Sequence, residues 1–192
     1  MADPTTKISD FKAALPYGGA RPTLFDFTVS GAPSAVNTTN LGNMKHYCNV
    51  SAIPALTVTP IERVYFGRTV KIPGDMVFAD LTTSFINTED FAVRNAIEDW
   101  MNAINHHSEN MSEHLDTTGD WQGVGVLTQY SKDGRSLMKY QFEGLWPQTV
   151  AEIALSYDTV SDIETFDVTW SYNYYTTSKG TSTTATINSH AA

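Results

Sequence analysis

The chain has 192 residues, of which 41% are hydrophobic and 17% are charged, and its formal net charge is −9. Proteins that grip nucleic acid or an anionic membrane need clustered Lys and Arg, so this acidic composition argues against both partners. Cys48 is the only cysteine, which excludes an intrachain disulfide framework.

The N-terminus shows no basic region followed by an apolar run, so we expect no secretory leader. No stretch approaches the ~18 continuous apolar residues of a membrane helix. These features predict a chain that folds in a cytosol and does not bind membranes directly.

Residues 1–20 are predicted to form an N-terminal segment with a short helix. Ile8, Phe11 and Leu15 fall on one face of that helix, and Pro16 with the following Gly pair ends it. Residues 23–30 then alternate between apolar and polar side chains, as a strand does.

The next part of the chain is predicted to be loop and strand. Residues 31–43 are rich in Ala, Pro, Asn and Thr and predict a loop. Strands are predicted over 44–53 and 61–72, with a turn or bulge at Gly67-Arg68. Pro73-Gly74-Asp75 predicts a turn that leads into an alternating strand over 76–86.

One long helix is predicted to follow. Asn87-Thr88 would cap it, and the acidic pair Glu89-Asp90 would lie at the positive end of its dipole. Its apolar residues recur with the helical period, so one stripe is expected to pack on the sheet. The predicted packing residues are Ile97, Trp100, Met101 and Ile104.

Three further strands complete the predicted domain. A polar loop over 105–120 precedes strands over 123–131 and 136–145, which are joined by the turn residues Lys132-Asp133-Gly134. A last strand is predicted over 164–175. The β domain is thus expected to span residues 21–176, with a flexible Ser/Thr-rich tail over 177–192.

No residue pattern predicts catalysis, a metal site or a cofactor. His106, His107, Glu113 and His114 lack the spacing of a helical two-His metal site. Cys48 has no recognisable nucleophile context, and a free Cys is more often a small buried apolar residue.

Five segments together carry a resemblance to a known family. FGRTVKIPGD (66–75) leads into FADLTTSFIN (78–87), followed by EDFAVRNAIEDWMNAIN (89–105). YQFEGLWP (140–147) and FDVTWSY (166–172) complete the pattern. In this order and spacing they resemble the tail tube proteins of T4-like contractile-tailed phages, over roughly Arg21 to Tyr175.

The resemblance implies a mainly β subunit, an antiparallel β-sandwich or barrel-like domain with one flanking α-helix. It implies hexameric rings that stack into a tube inside a contractile sheath, with the genome passing through the lumen without specific binding. The implied partners are other copies of the chain and the sheath, baseplate and tape-measure proteins. The implied location is the virion tail, assembled in the host cytoplasm.

Two predicted strands have a face of small polar residues that includes an Asp. Such a face is unusual for a core and suits a water-filled channel, although a solvated sheet exterior has the same composition. We therefore predict that these residues face the lumen: Asp80, Thr82, Ser84, Thr165, Asp167, Thr169 and Ser171.

Two alternatives to the phage tube remain open at this point. One is the tube subunit of a related bacterial contractile injection system, which would share the architecture. The other is a β-rich adhesive or carbohydrate-binding module, in which exposed aromatic side chains would stack on sugar rings. Its candidate residues are Trp121, Trp146, Tyr174 and Tyr175.

Overall fold

Nine strands and three helices make up the described part of the chain. The computed structural model describes residues 7–15, 18–109, 111–112, 121–158 and 162–179. The helices are α1 (Ile8–Ala14), α2 (Thr38–Tyr47) and α3 (Ala92–Ile104). The strands are β1 (Phe25–Ser30), β2 (Cys48–Ser51), β3 (Leu56–Tyr65), β4 (Arg68–Phe78), β5 (Leu81–Ile86), β6 (Gly123–Tyr130), β7 (Ser136–Val150), β8 (Thr165–Ser171) and β9 (Tyr174–Lys179).

The long strand β7 joins two groups of antiparallel strands. Its first half pairs with β6 and β9, and β6 pairs in turn with β1. Its second half, from Trp146 to Val150, pairs with β8, which continues to β5 and β2. We call the first group sheet 1 and the second group sheet 2. The prediction of a mainly antiparallel β fold is confirmed.

The core lies on the inner faces of the two sheets and under α2 and α3. Its largest fully buried side chains come from six different elements, so no single hairpin could bury them alone. They include Phe27, Met44, Phe85, Trp100, Phe142, Phe166 and Trp170.

Strands β3 and β4 form a separate two-stranded hairpin. Every residue of β3 is exposed, and β4 is almost as open. Two-stranded hairpins are marginally stable on their own in water. Most apolar residues of the hairpin are exposed in the described part of this chain, although Phe78 at the end of β4 packs against Tyr172 and Tyr175.

The predicted flanking helix is α3, but a further helix, α2, occupies residues that were predicted as loop and strand, so that local prediction is wrong. The Asn37 side chain caps α2 by accepting hydrogen bonds from the backbone N–H groups of Thr39 and Asn40. Leu41 and Met44, three residues apart, are both buried. Burial overrides the weak helix propensity of the Thr, Asn and Gly residues around them.

The predicted turn at Pro73-Gly74-Asp75 is also wrong, since these residues lie inside β4. Pro73 stands opposite Pro60 of β3, at a point where the register shifts. Prolines are tolerated in strands that have an unpaired edge, and both strands of this hairpin have one. The actual turn is Phe66-Gly67, and the strand predicted over 76–86 is divided at Ala79-Asp80.

The start of α3 differs from the predicted cap. Phe91, with a φ of 51°, is the residue before the helix, and the Asp90 carboxylate accepts a hydrogen bond from the Ala92 N–H. Asn87 instead donates its side-chain amide to Glu164 at 2.9 Å. The acidic residue nearest the helix thus supplies the cap, because its carboxylate reaches an N–H that has no partner in the helix.

The predicted last strand is two strands. β8 ends at Ser171 in sheet 2, and β9 begins at Tyr174 and pairs with β7 in sheet 1. The predicted domain boundary at residue 176 lies inside β9, which continues to Lys179. Residues 180–192 of the predicted tail lie outside the described residues.

Candidate assembly surfaces

The outer face of sheet 2 carries six of the seven residues predicted to line a lumen. Thr82 of β5 stands directly opposite Thr169 of β8, and Ser84 stands opposite Asp167. These residues alternate with the buried Leu81, Thr83 and Phe85 of β5 and Phe166, Val168 and Trp170 of β8. The period-2 geometry of strands therefore places the polar residues together on one continuous surface.

This surface contains one charged residue. Asp167 is the only charged side chain in β2, β5, β8 and the second half of β7, and these strands contain no Lys or Arg. The surface extends to Val50 of β2 beside Ser84, and to Thr149 of β7 beside Thr169. The outer face of sheet 2 is thus broad, mostly neutral and weakly acidic.

Asp80, the seventh predicted residue, lies just outside the strands, between β4 and β5. It is exposed, and the neighbouring Ala79 carbonyl accepts a hydrogen bond of 2.6 Å from the Tyr172 hydroxyl. Burial raises the pKa of Tyr172 to about 12, with smaller contributions from Tyr175 and from the charge of Asp80. Asp80 therefore adds negative charge at the end of sheet 2.

Both edges of sheet 2 have unpaired backbone groups. In the described part of the chain, β2 pairs only with β5, and the second half of β7 pairs only with β8. Unpaired strand edges are templates for pairing with another chain. Sheet 2 therefore has two edges with backbone groups available for pairing.

The β3–β4 hairpin carries a second surface. Ten of its large apolar side chains are exposed, and exposed apolar surface of this kind is typical of interaction sites. They are Leu56, Val58, Ile61, Val64, Tyr65, Phe66, Val70, Ile72, Met76 and Val77.

The predicted helix stripe surrounds Trp100. Ile97 and Trp100 are fully buried, while Met101 and Ile104 are partly buried. The Trp100 indole N–H donates a 2.8 Å hydrogen bond to the Trp121 carbonyl, and its ring lies 5.9 Å from that of Trp170. The sequence analysis did not single out Ala96 and Ala103, although both are buried and share the helical spacing of the stripe.

Among the residues that the structure describes, the remaining candidates considered from the sequence do not assemble into a site. Burial, assisted by the nearby Asp26, raises the pKa of the Cys48 thiol to about 12, which keeps it protonated and unreactive. His106 interacts with the Ser108 hydroxyl at 3.0 Å, while Glu113 and His114 lie outside the described residues. None of the helices in the described ranges has the length and apolar composition of a bilayer-spanning segment.

Three of the aromatic residues considered for sugar binding are partly buried. Trp121 packs edge-on against Trp146 at 5.9 Å, and Tyr175 packs against Phe142 at 5.8 Å. Tyr174 is the exposed member of the four. The aromatic side chains are thus used mainly for internal packing.

Comparison with known proteins decides between a phage tail tube protein and the alternatives that the sequence left open. The sequence profile of the family described as phage tail tube protein matches residues 9–178. This chain belongs to that family. Tail tube proteins are structural components of the virion and not enzymes, so the predicted absence of catalysis agrees with family membership.

Two curated relatives are tail tube proteins of T4-like phages. The tail tube protein gp19 of Enterobacteria phage T4 is 28% identical over 171 residues, which cover 88% of this chain and 98% of the relative. The corresponding protein of Enterobacteria phage T6 has the same identity and coverage. The resemblance drawn from the five sequence segments is confirmed.

Solved structures share the fold. One such structure is a chain of the sheath-tube complex of the extracellular contractile injection system PVC, which aligns with a TM-score of 0.58 at 18% identity. The alignment covers 91% of the present chain and 99% of the PVC chain. A chain of the tube-terminating cap of the anti-feeding prophage aligns with a TM-score of 0.60 at 17% identity, with 84% and 91% covered. At these identities the likeness establishes the fold.

Proposed function

We propose that this tail tube protein forms stacked hexameric rings in which the outer face of sheet 2 lines the bore. The observation that carries the proposal is the composition of that face, which has small polar side chains, one carboxylate and no Lys or Arg. The bore conducts the phage genome into the host during ejection.

A neutral or acidic bore suits a conduit for DNA. As few as 6–10 phosphate contacts change affinity by ~10³–10⁵ over a modest range of salt concentration. A basic residue in the bore would recur in each copy of each ring and would hold the genome in place. Asp167 and Asp80 instead repel phosphate, so the DNA slides without binding.

The free edges of sheet 2 support a closed ring. When the β2 edge of one subunit meets the β7 edge of its neighbour, both sets of unpaired N–H and C=O groups gain partners. A contact between two different surfaces closes into a ring when the rotation between copies allows it. Closure would join the outer faces of sheet 2 into one continuous lining.

The tube is proposed to work within a larger machine. Related folds occur in complexes whose names include a sheath, a tube terminator and a baseplate. We extend these associations to this chain: its partners are a contractile sheath, a baseplate and a tape-measure protein, and assembly takes place in the host cytoplasm.

A reconstruction of the assembled protein by electron microscopy tests the proposal. We expect hollow six-fold tubes in which Thr82, Thr169 and Asp167 project into the lumen. Discrete particles without a channel would contradict the tube. Tubes in which the same side chains project from the outer wall would contradict the assignment of the bore.

A further inference from the structure

We propose that the C-terminal segment, residues 180–192, folds back onto its own subunit and inserts Ile187 into an apolar pocket between sheet 1 and the end of β2. The segment lies beyond residues 9–178, which the family profile matches. The contact is made within one subunit, so the inference does not depend on the proposed tube. Four features carry it: the pocket, a buried hydroxyl, the position at which β9 ends, and the composition of the segment.

The pocket lies between sheet 1 and the residues at the end of β2. It has a volume of about 130 Å³, and its walls include Phe25, Leu127 and Tyr140 of sheet 1 with Ser51 and Ile53. An apolar cavity of ~150 Å³ is large enough to bind benzene, and an isoleucine side chain has fewer carbon atoms than benzene. The pocket is therefore large enough for one aliphatic side chain of this size.

One polar atom in the pocket wall calls for a partner. The Ser51 hydroxyl oxygen is buried, yet it makes no hydrogen bond to any residue that the structure describes. Such a group in a native protein needs an explanation. A peptide segment carries N–H and C=O groups at every residue, so a docked segment supplies a hydrogen-bond partner together with the apolar side chain.

Strand β9 ends on the face of sheet 1 that forms the pocket. Lys179, its last residue, stands opposite Met138 of β7, Met138 stands opposite Gln129 of β6, and Gln129 stands opposite Phe25 of β1. Residues paired in this way across antiparallel strands share a face, and Gln129 and Phe25 both line the pocket. Two strand spacings of ~4.8 Å separate Lys179 from Gln129, so the chain leaves β9 about 10 Å from the pocket.

The segment offers one side chain that suits the pocket. Ile187 is the only large apolar residue between positions 180 and 192, where the others are Gly, Ala, Ser, Thr, Asn and His. It follows Lys179 by eight residues, which at ~3.4 Å per residue span up to ~27 Å. The connection is therefore long enough, and a short connection gives an effective concentration in the millimolar range, which favours the chain's own pocket over that of a second copy.

Docking would hold a weakly paired strand in place. β2 pairs with β5 through only three residues, and the register shifts between Cys48 and Val50. The C-terminal segment would add a contact at Ser51, the last residue of β2, and would connect it to sheet 1. The segment thus closes the side of the domain where β2 ends.

Nuclear magnetic resonance of the dilute, unaltered chain tests the contact directly. We expect nuclear Overhauser effects from the Ile187 methyl groups to the rings of Phe25 and Tyr140. The backbone order parameter at Ile187 should be close to the ~0.85 of rigid backbone, and well above the ~0.6 below which a segment is flexible. Both signals should be independent of protein concentration, because the contact lies within one chain.

Ile187→Asp should release the segment while the domain stays folded. Loss of a buried isoleucine should shift the docking equilibrium about 10- to 100-fold, and amide hydrogen exchange at the end of β2 should accelerate by a similar factor. Ala191→Asp adds the same charge four residues further along the segment and is the matched control. It should leave the Overhauser effects and the exchange rates unchanged.

Three results would overturn the inference. An order parameter below ~0.6 at Ile187, without Overhauser effects to the pocket, would show that the segment does not dock. Overhauser effects to the pocket from Phe11 of α1, which is 64% exposed in the structure, would assign the pocket to another segment. Release of Ile187 on dilution would place it in the pocket of a second copy. All these measurements use the monomer, so none of them bears on the proposed tube.

Discussion

The indole N–H of Trp170 donates a hydrogen bond of 2.8 Å to the hydroxyl of Thr83, and both side chains are fully buried. The bond ties β8 to β5 on the inner face of sheet 2. Because strand residues alternate, fixing these two residues inward also fixes Thr82 and Thr169 outward. The polar outer face thus depends on a polar contact in the core.

Thr83→Val should destabilise the subunit. Val keeps the shape of Thr but leaves the Trp170 N–H buried without an acceptor, at a cost of ~1–3 kcal/mol. Thr82→Val, one residue away on the outer face, is the control and should stay within ~0.5 kcal/mol of the original chain. Urea unfolding of the dilute monomer measures both. Equal effects at the two positions would show that the hydrogen bond contributes nothing.

Two glycine substitutions should have opposite effects. A Cβ at Gly123 would lie 2.8 Å from the Trp100 ring and 2.9 Å from the Ser30 carbonyl, so Gly123→Ala should cost ~1–3 kcal/mol by overpacking. A Cβ at Gly42 in α2 meets nothing within 4 Å, so Gly42→Ala should stabilise the helix by ~0.5–1 kcal/mol. Thermal unfolding distinguishes them, and a stabilised Gly123→Ala would show that Trp100 is not packed as described.

Strong local signals were sufficient for part of the fold. The Lys132-Asp133-Gly134 turn joins β6 to β7 as predicted, and the Arg94 guanidinium pairs with Glu98 at 2.8 Å as their four-residue spacing suggests. The alternation of polar and apolar residues in β5 and β8 also indicated which side chains share a face. The two-residue period belongs to each strand by itself, so it can be predicted without knowing which strands pair.

Features that depend on distant contacts could not be predicted in this way. α2 has weak helix formers and is stabilised by burial of Leu41 and Met44. The Pro73-Gly74 pair has turn chemistry, yet it lies within β4 because β3 stands opposite it. A small pocket lined by Phe25, Ser51 and Leu127 is built from segments more than 70 residues apart in the chain, so no local pattern indicated it.

Cys48 should resist alkylation in the folded subunit. Its pKa of about 12, raised mainly by burial, keeps the thiol protonated below that pH, whereas the unfolded thiol ionises near its ordinary pKa of 9.0. Iodoacetamide at pH 8 should therefore modify Cys48 only after denaturant is added. Because the folded pKa is the higher one, this group favours folding below pH 9 and its contribution is lost between about pH 9 and 12. Rapid modification without denaturant would contradict the half-buried placement of the thiol and its raised pKa.

Reversing the charge of the outer face of sheet 2 should convert a conduit into a binding surface. Asp80→Lys with Asp167→Lys places Lys in every copy of every ring, where the phosphates of passing DNA would meet it. Both positions are solvent-exposed, so tubes should still form.

The measurement is the rate of genome release at several salt concentrations. A control with the same net charge reverses Asp99 on α3 and Asp133 in the β6–β7 turn, both exposed and away from sheet 2. Release from the sheet 2 variant should slow markedly at low salt and recover as salt screens the contacts, whereas the control should match the original chain. If the sheet 2 variant releases DNA at the normal rate in low salt, this face does not line the path of the genome.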